Sequence, residues 1–199
     1  MIDFNADIIS YKSLGNIEIG RDVEFYADEL YENFDVEERI WEKPYNSNEV
    51  GYELKYIYSL NNGTITICTN CNGRIEELWC NQNYKGKYRN KYKNELYAGI
   101  TMGELLNLTK KQLIFWGELI LDDDYGMAIT LPSPWDELDD YFKDIPSDLT
   151  LNEIYVGNRD CHRTVYKKRE EKNQKCGKQD EVDNNTDIIS SKFIRNIDF

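Results

Sequence analysis

Histidine is almost missing: His162 is the single one in 199 residues. It is the side chain that titrates near neutral pH, so its scarcity removes the commonest general base. The sequence also has no phosphate-binding loop, no nucleophile elbow and no helix motif carrying paired metal ligands. An enzyme would have to work with carboxylates, and the acids match no recognisable catalytic pair or calcium loop. The expectation is a protein that is not an enzyme and needs no cofactor.

No apolar run approaches the roughly 18 to 20 residues of a membrane span. Met1–Asn5 lacks the basic-then-apolar order of an export signal. Both absences predict a cytoplasmic protein with no membrane partner. Five cysteines, an odd number, suggest reduced thiols more than a disulfide framework. Cys68 and Cys71 make one Cys-x-x-Cys, where a zinc site usually draws on two such pairs. Cys68 continues the alternation of Thr64 and Thr66, and "TNCNG" reads as a hairpin turn, so no metal is expected. No helix follows the pair to lower a thiol pKa, which weighs against redox chemistry.

What is present is negative charge, unevenly placed. The net charge of −13 divides into −10 over residues 1–83, +4 over 84–97, −9 over 98–160 and +2 over 161–199. Two acidic lobes flank a basic bridge. Such a body repels nucleic acid phosphates over most of its surface and draws in a basic protein, raising encounter rate more than final affinity. Solubility alone is the competing explanation for the acidity. Hydrophobic residues at 40% and aromatics at 13%, with 15 tyrosines, supply enough surface for a folded core.

"RDVEFYADELYENF" sets Val23, Tyr26, Ala27, Leu30 and Phe34 at helical spacing, with Asp22 and Glu24 where the helix dipole favours acids. The period changes to two at Val50, Tyr52, Leu54, Tyr56, Tyr58 and Leu60. "NNG" then turns the chain into Ile65 and Ile67, which predicts a hairpin. Val36–Trp41 and Arg74–Cys80 are further strand candidates. Beyond the bridge, Met102, Leu105, Leu106 and Leu108 predict a shorter helix, and "LIFWGELIL" is apolar on both faces, like one central strand. Tyr125, Met127, Ile129 and Leu131 alternate until two prolines stop them, residues 136–142 suggest a helical turn, and "LTLNEIYV" is the last strand. The fold class expected is α+β: an antiparallel sheet with helices on one face.

Two repetitions stand out. "GNIEIG" (15–20) and "AGITMG" (98–103) each precede a helix and then strands, which suggests related units at 15–83 and 98–156. Glycine-bounded segments before helices are also common in unrelated folds. In addition, residues 185–199 restate residues 5–19 at a constant offset of 180, with Asn5, Asp7, Ile8, Ile9, Ser10, Lys12, Asn16 and Ile17 meeting identical partners. The equivalence extends back to Asp3 and Asp183. The reading is a domain over 1–160 and a polar tail over 161–199 ending in that partial repeat, with the domain folding and binding without the tail. A truncated tandem copy and a docked arm both account for it.

"SLGNIEIG" with its helix and strands, followed by "AGITMG" with its own, resembles small bacterial immunity proteins that protect cells from polymorphic or contact-dependent growth inhibition toxins. The layout is also similar to the beta-lactamase inhibitor protein fold, built from repeated helix-and-sheet units. The resemblance covers roughly residues 10–156. It implies an antitoxin whose partner is a cognate toxin domain. The acidity of this chain suggests a basic, nuclease-type toxin.

Candidate contacts follow from an inhibitor's need to fill a cationic groove with carboxylates and aromatic anchors. They are Asp122, Asp123, Asp124, Trp135, Asp136, Glu137, Asp139, Asp140 and Tyr141. The alternative is a small regulatory or scaffold protein contacting nucleic acid through residues 84–93, where Tyr84, Tyr88 and Tyr92 interleave with Lys85, Lys87, Arg89, Lys91 and Lys93.

Overall fold

The computed structural model describes residues 1–44, 52–137 and 145–159. The N-terminal segment forms a strap with a small hairpin, β1 (Ser13–Leu14) and β2 (Ile17–Glu18). A 3-10 turn, Val23–Tyr26, capped by the Asp22 carboxylate on the Glu24 N–H, leads into α1 (Ala27–Asn33). A meander follows: β3 (Val36–Pro44), β4 (Tyr52–Leu60), β5 (Ile65–Asn70) and β6 (Ile75–Cys80). The basic bridge contributes β7 (Tyr88–Arg89) and β8 (Glu95–Leu96). Then come α2 (Met102–Leu108), β9 (Gln112–Phe115), β10 (Glu118–Leu121), β11 (Asp124–Thr130) and β12 (Ile154–Gly157).

The strands assemble into one eight-stranded antiparallel sheet, ordered β3-β4-β5-β6-β12-β11-β10-β9. Each short helix is followed by a four-strand meander, and the final strands of the two meanders meet at the sheet centre through Cys80–Ile154 and Leu78–Val156. One register row crosses all the strands: Val36, Leu60, Ile65, Cys80, Ile154, Ile129, Leu119 and Ile114. These residues face Leu30 of α1 and Met102 and Leu105 of α2, making the main core. Two-residue side-chain alternation then sends the neighbouring row, Glu37, Ser59, Thr66, Trp79, Tyr155 and Ala128, to the far face.

The strap is sewn into this core. Ile8, Leu14 and Ile17 are buried, and Tyr84 both donates to the Ala6 carbonyl and accepts from the Gly15 N–H. Ser10 and Tyr11 pass so close to Gly126 that any β-carbon there would collide with them. α2 starts with a capping box, in which the Thr101 hydroxyl accepts from the Glu104 N–H and the Glu104 carboxylate accepts from the Thr101 N–H.

The segment 113–121 is not a single strand. Trp116 and Gly117 take positive φ values of 48° and 73°, folding it into the β9–β10 hairpin. Its two-faced apolarity has two sources: Ile114, Leu119 and Leu121 face the main core, while Ile120 and Leu113 lie on the far side. "AGITMG" also differs from "GNIEIG": the first runs into the cap and first turn of α2, whereas the second contains β2. Most of the expected turn at 136–142 lies outside the described residues, as does the repeat at 185–199. Among the described residues no helix is long and apolar enough to cross a membrane.

Candidate functional site

The acidic run 122–124 is turned inward by the β10–β11 connection. Asp122 and Asp123 adopt left-handed φ values of 55° and 65°. Asp122 is buried, and its Oδ1 accepts from the main-chain N–H of Lys110 at 2.9 Å and of Lys111 at 3.0 Å. Asp124 accepts from Ser10 Oγ, from Tyr88 OH and from the Gly126 N–H. Two of the three expected contact acids are therefore fastenings between elements, and their carboxylates are occupied. Asp123 remains at the surface, 2.7 Å from Lys111 Nζ.

Trp135 packs against the main core as a partly buried side chain, so it is not a free anchor. Asp136 and Glu137 are exposed, as expected of contact residues. The Asp136 main chain lies directly against Gly117, which positions both acids beside the exposed Trp116, stacked on Phe115. Asp139, Asp140 and Tyr141 lie outside the described residues.

A second acidic surface was not among the sequence candidates. Asp22, Glu24, Asp28, Glu32, Asp35, Glu37, Glu38 and Glu42 are all exposed along the 3-10 turn, α1 and the edge strand β3. Phe25, Tyr31 and Ile40 stand among them, 68%, 55% and 64% exposed, while Trp41, 45% exposed, shares with Glu37 the opposite side of β3. Tyr31 donates to Glu38 at 2.6 Å, joining helix to edge strand. That bond to an anion, with partial burial and the charge of Glu38, pushes the Tyr31 phenol up to about 12. Tyr58 is raised as well, by burial first and then by the charge of Glu38. The charge density over residues 22–42 was the available signal. Sequence alone assigns the helix-dipole role to Asp22 and Glu24 and treats the rest as part of the acidic lobe over 1–83.

The basic bridge is mostly engaged within the chain. Lys87 and Arg89 pair with Glu95, and Lys91 Nζ donates to the Asp122 carbonyl. Of the three interleaved tyrosines, Tyr84 and Tyr88 are buried and Tyr92 keeps a partly open ring, flanked by Lys91 and Lys110. A stacking platform for bases needs open aromatic faces, and two of the three proposed rings lack one.

Cys68 lies buried in β5, Cys71 is exposed in the following turn, and Cys80 is buried, where desolvation pushes its thiol up to about 12. Among the described residues no three His, Cys, Asp or Glu side chains stand together in a way that could hold a metal ion. A pocket of about 370 Å³ is lined by Asn81, Gln82, Asn83, Asn152 and Glu153. Burial raises the Glu153 carboxyl above its ordinary range, but its lining offers no second titratable group for acid–base chemistry. Comparison of the chain with protein families, curated proteins and solved structures gives no match.

Proposed function

We propose that this chain is an immunity-type antitoxin, acting in the cytoplasm on a basic, nuclease-type toxin domain by steric and electrostatic occlusion. The observation that carries the reading is the surface formed by the 3-10 turn, α1 and β3. It combines exposed acids with the exposed Phe25, Tyr31 and Ile40. Aromatic anchors within a field of one sign suit tight binding to an oppositely charged protein groove. The two helix-plus-meander halves are related units in this reading, in the manner of the beta-lactamase inhibitor protein layout. Asp136, Glu137 and Trp116 form a second, smaller contact area.

The test is co-expression with the toxin domain encoded immediately upstream, scored as growth rescue. Rescue is expected for the unaltered chain and loss of rescue for Tyr31→Ala combined with Glu38→Gln and Ile40→Ser. Full rescue by that folded triple variant would reject the surface. No rescue by the unaltered chain would reject that toxin as its partner.

A further inference from the structure

The outer edge of β3 is a main-chain surface whose phase the ladder fixes. The Asn61 N–H donates to the Asp35 carbonyl, so the next pair, Val36 and Leu60, is a non-hydrogen-bonded pair of the β3–β4 ladder. Alternation then turns the N–H and C=O of Glu38, Ile40 and Glu42 away from β4. Among the described residues β3 pairs on one side only and ends the sheet. Its register with β4 runs over nine residues without a bulge, so the edge is long and regular. Folds keep such edges unpaired by shortening them, bulging them or charging them. Here the protection is charge, set on either side of the exposed Ile40.

The side chains of the same three residues select the occupant. Glu38, Ile40 and Glu42 share one side of the strand, and all three are exposed. Two copies of β3 paired antiparallel about Ile40 would set Glu38 against Glu42 twice, like charges directly opposed. That charge pattern turns away a second copy and suits a strand of opposite sign. We propose that the edge receives an extended basic segment of the partner, which lengthens the eight-stranded sheet by one strand. Lys or Arg then stands opposite Glu38 and Glu42, and an apolar residue stands opposite Ile40. That the partner is a toxin rests on the antitoxin reading, whereas the mode of docking rests on the edge itself.

Amide exchange and chemical shifts of the full chain, followed by NMR, test this with the blocked peptide Thr-Lys-Thr-Val-Thr-Lys-Thr as the probe. Saturable binding is expected, with exchange slowed at the amides of Glu38, Ile40 and Glu42. The same peptide N-methylated at both lysines and the valine keeps its charge and loses the donors that face β3. Its affinity is expected to fall at least about tenfold. Ile40→Pro removes an outward donor and spares the β4 ladder, so it should weaken binding of the unmethylated peptide similarly. Equal binding of the two peptides would overturn the proposal, because charge alone would then hold them. So would an absence of saturable binding, or protection of the three amides that rises with protein concentration when no peptide is present. Growth rescue is scored separately. A chain that rescues and fails the peptide test loses the strand mode and keeps the antitoxin reading, and the converse result keeps the strand mode and removes the toxin.

Discussion

At the residue scale, Asp122 and Asp123 are adjacent acids with opposite fates. Asp122 satisfies two main-chain N–H groups from a buried position, while Asp123 makes an exposed ion pair. Asp122→Ala leaves both donors without that acceptor and is expected to cost about 2 kcal/mol, whereas Asp123→Asn, which removes the exposed ion pair and tolerates the left-handed backbone, should stay within about 0.5 kcal/mol. Urea unfolding midpoints of the two variants check this. Glu153 makes the complementary case. Its folded carboxyl is raised by burial, so the native state holds a proton that the unfolded chain has already lost. Stability therefore falls as pH rises from the ordinary carboxylate range through the folded value. Glu153→Gln should raise the melting temperature at about pH 7 and change it little at about pH 3, below the ordinary glutamate value, where both states are protonated.

At the element scale, the strap explains which of its residues the chain repeats. Ile8, Leu14 and Ile17 fill the core, Ser10 fastens to Asp124, and Asn16 takes a φ of 65°. Their counterparts are Ile188, Ile194, Ile197, Ser190 and Asn196, so what recurs is the set that seats a strap. Two counterparts do not suit this seat. Phe193 replaces the buried Ser13, and Arg195 replaces Gly15, whose φ is 63° and whose missing β-carbon would press on Ile65. Ile17→Asp should therefore unfold the full chain as readily as a chain ended after residue 184, in matched thermal melts. The capping box gives a smaller effect. Thr101→Ala is expected to cost about 1 kcal/mol, read by denaturant unfolding, and Thr101→Ser to restore most of it.

At the scale of the whole molecule, a net charge of −13 with acids gathered on α1 and β3 sets how a basic partner arrives. On the proposed antitoxin reading, the association rate with a basic toxin should fall by about tenfold or more between low and physiological salt, while the dissociation rate changes far less. Stopped-flow binding at several ionic strengths measures both. Neutralising Glu24, Asp28 and Glu32 together should flatten that dependence.

Composition and periodicity alone determined the antiparallel sheet, the two short helices and the β4–β5 hairpin, because alternation of two and helical spacing are local properties that Leu60, Ile65 or Leu105 carry wherever they pack. The β9–β10 turn escaped that reading because an apolar Trp116 occupies a left-handed turn position. The fates of Asp122 and Asp124 were likewise invisible in an acidic run. Tertiary structure brought Lys110, Lys111, Ser10 and Tyr88 to them, and distant donors, not neighbours in sequence, decide whether a carboxylate is a fastening or a surface. The same holds for the edge surface: Tyr31, Glu38 and Ile40 became one patch only when α1 was laid beside the outermost strand.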